Sequence, residues 1–187
     1  MIGSSRSNAM NDKAVVTPML WVVLIAALSV VGSYAFACAT PFAAIGALAA
    51  RKMDRGTGLT LVMLAWLANQ VVGYGLLDYP HTANSFAWGA AIGVAAVAGF
   101  FAARSIGATA LKNSIATVAS LIAAFAVYEI ALYAAGFVIG GESGAFTFAI
   151  VARIFIINAV AFGAVLALYR VAEARRWSHP KEVAAHA

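Results

Sequence analysis

The sequence predicts an all-α, polytopic membrane protein: a six-transmembrane-helix bundle with both termini cytoplasmic. Three observations lead there. The 187 residues are 64% hydrophobic and only 10% charged, where a soluble domain carries about 25% charged residues. The apolar runs approach the ~20 residues that cross a bilayer as a helix, and the short alternating segments of a membrane β-barrel are absent. The 12 Lys and Arg residues gather in connections and tails, with one exception.

Residues 1–14, "MIGSSRSNAMNDKA", read as a polar cytoplasmic tail before an apolar run longer than a signal-peptide core. Residues 15–169 form the transmembrane domain and 170–187 a cytoplasmic tail. Five spans stand out: Val15–Ala37, Gly58–Leu77, Ser85–Ala103, Ser114–Ile139 and Phe146–Tyr169. The piece "CATPFAAIGALAA", Cys38–Ala50, is apolar but short, and reads as a short sixth span or a re-entrant piece. Pro41 separates it from the run before, because proline lacks an N–H and pushes its predecessor out of the helical region.

Charge placement decides the topology. Arg51, Lys52 and Arg55 follow the short piece; Arg104 and Lys112 lie two crossings later; Arg170, Arg175, Arg176 and Lys181 follow the last span. Parity puts these groups on one side. Arg6 and Lys13 join them if Val15–Ala50 crosses twice, which the positive-inside rule favours. Every cation except Arg153 is then cytoplasmic, so the net charge of +5 needs no nucleic acid to explain it. The outer connections are "CATP" (Cys38–Pro41), "DYPHTANS" (Asp78–Ser85) and "GGESG" (Gly140–Gly144), all free of cations.

Polar side chains within spans are costly and mark function or pairing. Glu129 lies in the fifth span and Arg153 in the sixth, with Asn69, Gln70 and Asn158 as uncharged companions. At 1.5 Å per residue Glu129 sits about 16 Å below Gly140 and Arg153 about 13 Å below Gly144, so an ion pair between them is expected, as a structural clamp or as part of a site. Trp66, Gln70 and Tyr74 recur at i, i+4, i+8, as do Phe125, Glu129 and Tyr133. Each set shares a helix face. Two such stripes would suit a pocket that stacks on a flat ligand and hydrogen-bonds its edge. Interfacial aromatic anchoring and helix packing are the competing reading. Over this pocket, Asp78, Tyr79, His81 and Asn84 are expected to form a lid, stiffened by Pro80, with a polar turn that merely connects the spans as the competing reading. Ser29, Ser33 and Ala37 form a small-residue ladder, and Gly89–Gly93 and Gly136–Gly140 are GxxxG pairs.

Several classes are excluded. There is no G-x-x-x-x-G-K-[ST] and no H-E-x-x-H, so neither P-loop nucleotide hydrolysis nor that zinc chemistry is available. Of the 3 histidines, His179 and His186 are in the tail, which rules out a bis-histidine haem inside the bundle. No G-x-S-x-G supports a hydrolase. The single cysteine, Cys38, precludes an intrachain disulfide. The chain reads as a non-enzyme without a resident cofactor.

Six spans, both ends inside, this length and the first-span stretch "SVVGSYA" (Ser29–Ala35) with Ala37 resemble the substrate-binding S-components of energy-coupling factor (ECF) vitamin transporters. The resemblance is architectural and covers Val15–Tyr169. It implies that Ser29, Ser33 and Ala37 dock on an energising membrane subunit. It also implies a ligand near the outer surface beneath "CATP" and "DYPHTANS", with ATP hydrolysed by separate subunits. Substrate-binding candidates are Gln70, Tyr74, Asp78, Tyr79, His81, Asn84, Glu129, Tyr133 and Arg153. A cobalamin-type ligand is the first variant to test, since Cys38 or His81 could coordinate cobalt. The expected function is thus uptake of a vitamin-like solute at the cell inner membrane. A solitary permease or channel, or an accessory subunit with no small ligand, are the alternatives.

Overall fold

The computed structural model describes residues 40–107, 109, 112–140 and 144–177, with side chains to residue 171. Among the described residues there are five helices and no strand: α1 Phe42–Lys52, α2 Arg55–Leu76, α3 Ala83–Gly107, α4 Asn113–Ile139 and α5 Phe148–Trp177. Four stretches are long and apolar enough to cross a membrane: Arg55–Leu76, Ala83–Gly107, Asn113–Ile139 and Phe148–Val171. They match the four later spans read from the sequence to within a few residues. The chain is an all-helical, multi-pass membrane protein. The first expected span, Val15–Ala37, lies outside the described residues, as do Ser29, Ser33, Ala37 and Cys38.

The short piece forms a short helix. Pro41 stands at its N-cap and Met53 leaves it in extended conformation, giving α1 only 11 residues. That is about 16 Å, half of the ~30 Å hydrocarbon thickness. Of the expected Cys38–Ala50 piece, the described helix runs from Phe42 to Lys52 and is by itself too short to span the bilayer. Thr40 and Pro41 are buried, so this end of "CATP" is not a surface loop. Thr40 donates its hydroxyl to Asn69 Oδ1 at 2.6 Å, and Asn69 lies about 10 Å below the end of α2.

Helix α1 is the axis of the bundle. Residues Phe42–Ala49 are all buried, and α2, α3, α4 and α5 each pack on it. Close approach needs small residues. Gly46 lies against the backbone of Phe100, and a methyl group at Gly99 would stand 2.9 Å from the Ala124 carbonyl oxygen. Ser120, also buried, donates to its own helix at Ala116 and approaches the Ala103 carbonyl at 3.3 Å. Outward faces carry bare apolar side chains such as Val94, Ile130, Val138 and Phe148, the pattern expected of surface in contact with lipid.

The cations collect at one end. Arg104 donates to the Met53 carbonyl at 3.2 Å, and Arg51 to the Asn113 side chain. Lys52 Nζ lies 4.5 Å above the Tyr169 ring and Arg55 5.2 Å from the Phe101 ring. Asp54 caps α2 there by accepting from Thr57 N–H at 2.9 Å. Hydrogen bonds from Thr57, the side chain before the backbone, hold the Asp54 carboxyl below its ordinary range. The opposite end, with the 77–82 connection and the start of α5, has no described Lys or Arg.

Candidate functional site

The two aromatic stripes follow their helices as expected but meet different partners. On α2, Trp66 lies across Gly93 and donates Nε1–H to the Gly89 carbonyl at 2.8 Å. Gln70 presses on Gly89, and the Tyr74 hydroxyl meets Ser85 Oγ at 3.1 Å. This stripe is therefore the α2–α3 packing surface, and Gly89–Gly93 is the notch that accepts it. Gly136–Gly140 has another role: Gly140, at φ 76, ends α4.

The second stripe runs along the cleft between α4 and α5. Phe125 meets Phe155 of α5 edge-on at 5.0 Å. Two turns later Tyr133 meets Phe146, just before α5, at 5.3 Å, and Phe137 at 5.0 Å, both near perpendicular. Glu129 lies between these contacts on the same face. Its Oε1 is buried without a hydrogen-bond partner. A buried polar atom in that state is uncommon in native structures and calls for an explanation.

The expected Glu129–Arg153 pair is not formed. Arg153 is near the right depth, since the Phe125–Phe155 contact puts Glu129 level with about Val151. Its side chain, however, is exposed. Two residues along a helix turn the side chain by about 200°, so with Phe155 facing α4, Arg153 faces away. Depth follows from counting residues; the direction a helix face points follows from its neighbours.

Nor do the stripes floor one pocket. Gln70 and Tyr74 face α3 from one side, whereas Glu129 and Tyr133 lie on the far side of α4, facing α5. The 78–85 connection is tied into helix ends. Asp78 adopts φ 51, and Tyr79 N–H returns to the Gly73 carbonyl at 3.1 Å while its ring covers Gly73. Tyr74 gathers Tyr79, His81 and Phe86 at centroid distances of 5.9, 5.6 and 4.8 Å. Thr82 accepts from Ser85 N–H at the start of α3, and Asn84 donates to the Ile139 carbonyl at 3.1 Å. Asp78 and His81 are exposed.

At the cation-free end of the second stripe is an open recess of about 370 Å³, lined by Tyr133, Gly136, Phe137, Gly144, Phe146 and Thr147. Glu129 lies one helical turn, about 6 Å, deeper along α4 than Tyr133. Sequence reasoning stopped at Tyr133; the same i+4 step continues to Phe137, a signal that was present. Phe146 and Thr147 carried no such pattern. A second recess of about 390 Å³ between α2 and α3, by Met63, Trp66 and Val94, offers only apolar surface and a Trp66 N–H already in use. Among the described residues no cluster of three or more His, Cys, Asp or Glu could hold a metal.

One further polar seam is fully paired. Asn158 accepts from Ala44 N–H at 3.0 Å and donates to its own Ile154 carbonyl at 3.0 Å. It thereby satisfies one of the free N–H groups at the start of α1, at a depth where no water is available. With Thr40 and Asn69 it anchors the half-length helix.

Fold and site together define a class, a multi-pass helical membrane protein with a carboxylate set in an aromatic cleft. No protein-family model matches the chain, and neither a curated protein nor a solved structure shows significant similarity to it.

Proposed function

We propose that the protein is a membrane-embedded subunit that binds a small organic solute at its cation-free end for uptake. The observation that carries this reading is the unpartnered Glu129 oxygen beneath the Tyr133–Phe137–Phe146 recess. A buried ionisable group in a span is retained at a cost and commonly marks a solute or ion pathway. In the proposed orientation the end bearing Arg51, Lys52, Arg55, Arg104 and Lys112 faces the cytoplasm of a cell whose inner membrane holds the chain. In this reading the chain before Arg51 crosses twice, residues ahead of α1 supplying the length that its own 11 residues lack, so that six spans leave both termini inside. As the S-component resemblance implies, a vitamin-like solute would be captured outside and its uptake energised by separate ATPase-bearing partners. The lone carboxylate also favours a second reading, a solitary permease in which Glu129 carries a coupling ion.

Mass spectrometry of small molecules released from the purified full-length protein tests the first reading. A stoichiometric organic solute is expected. Solute flux in liposomes containing this chain alone would favour the permease. Absence of both a released solute and flux would leave an accessory subunit as the better reading.

A further inference from the structure

The chemistry of the recess narrows the solute class. Its walls are three aromatic rings: Tyr133 stands near perpendicular to Phe137 at 82° and to Phe146 at 83°. Rings set at right angles offer faces in more than one direction to a single guest. Aromatic faces are negative and attract cations, organic ammonium groups above all. Tyr133 and Phe137 are exposed, and Phe146 half-buried, so the rings are reachable rather than spent on internal packing.

Charge points the same way. The carboxylate one turn below is the formal charge nearest the recess on α4, and its Oε1 accepts no hydrogen bond. No Lys or Arg side chain in the described structure answers it: Arg153 on α5 faces away, and α3 and α1 hold cations only at the opposite end. The adjoining 77–82 connection contributes Asp78 and neither Lys nor Arg. The C-terminus of α4 and the N-terminus of α5 adjoin here, so their partial charges oppose one another and the carboxylate sets the sign. An anionic solute would find no cationic side chain here, only the Tyr133 and Thr147 hydroxyls as side-chain donors. A neutral apolar solute would leave the carboxylate unanswered.

We infer that the recess between α4 and α5 binds a small organic cation, its ammonium group held between the Tyr133, Phe137 and Phe146 rings and drawn toward Glu129. This deepens the solute-binding reading and rests on it. Glu129 supplies the charge, Tyr133 the central ring face, and the open mouth near Gly144 the route of entry from the cation-free side.

The test is calorimetric titration of the full-length protein in nanodiscs. Phenyltrimethylammonium is the probe, with benzyl alcohol and benzenesulfonate as neutral and anionic comparators. Saturable binding of the cation is expected, at least ~10-fold tighter than either comparator. Glu129→Gln and Tyr133→Leu should each weaken it by about 10-fold, whereas Tyr133→Phe, which keeps the ring face, should stay within about 2-fold. Tyr133 is 54% exposed, so its replacement reports on the site even if the Glu129 variant folds poorly. Equal binding of the three probes, or indifference to both substitutions, overturns the inference. If the probe does not bind and the purified protein releases a neutral or anionic solute, the cation class falls while solute binding stands. If nothing is released and nothing binds, both fall.

Discussion

Helix α4 has two contrasting faces. Toward α3 it is all small residues and closure: Ala116, Ser120 and Ala124 are buried, and Gly99 comes so close to Ala124 that no β-carbon fits without a shift. Toward α5 the same helix carries Phe125, Glu129 and Tyr133, spaced by large rings, and the two helices touch sparingly. Small residues bring backbones together and hold them by van der Waals contact, the main attraction available between helices in lipid. Large aromatics hold them apart and leave room. The difference teaches that stability and solute chemistry are kept on separate faces of one helix, so changes to one should leave the other largely intact.

The largest expected effect comes from breaking the tight face. Gly99→Val should destabilise the protein by about 3 kcal/mol, because its β-carbon meets a backbone carbonyl that cannot swing away. Thermal unfolding in detergent would show it, and an unchanged melting temperature would mean that α3 and α4 can separate at little cost. Next is the polar seam. Asn158→Leu leaves the Ala44 N–H buried without an acceptor and should cost about 2 kcal/mol. Asn158→Asp, which keeps an acceptor, tests whether the cap rather than the volume matters, since it should restore protection of the Ala44 amide in hydrogen exchange.

The loose face should respond in the opposite sense. Glu129→Leu removes an unanswered polar atom from an apolar cleft, so the melting temperature should hold or rise by a degree or two while solute binding is lost. A fall of several degrees would show that Glu129 supports the fold, and the separation of roles on α4 would collapse.

The smallest effect belongs to Asp54, at the basic end. Its carboxyl titrates lower in the folded protein than in the unfolded chain because of Thr57. The cap's contribution is therefore fully present above the ordinary aspartate value and is lost as the pH falls through the lowered folded value. Asp54→Ala should lower the melting temperature by a few degrees at neutral pH. The gap from the parent protein should close under strongly acidic conditions.

Much of this molecule was legible from its residues in order. Four spans, the gathering of Arg51, Arg104 and Arg170 at one end, and the i+4 stripes on α2 and α4 all follow from quantities that depend on chain position alone: hydropathy per residue, rise per residue and turn per residue. Glu129 and Arg153 were correctly placed at similar depths for the same reason. What tertiary structure decided was azimuth and partnership. It turned Arg153 outward and laid the Trp66–Gln70–Tyr74 stripe on Gly89 and Gly93. It set Tyr133 against Phe146, which no local period connects to it. It also stopped α1 at half the membrane thickness, a length permissible because Asn158, 114 positions from Ala44, supplies the acceptor that water would supply elsewhere. A helix's own sequence determines which residues share a face; the shapes of all its neighbours together determine what that face meets.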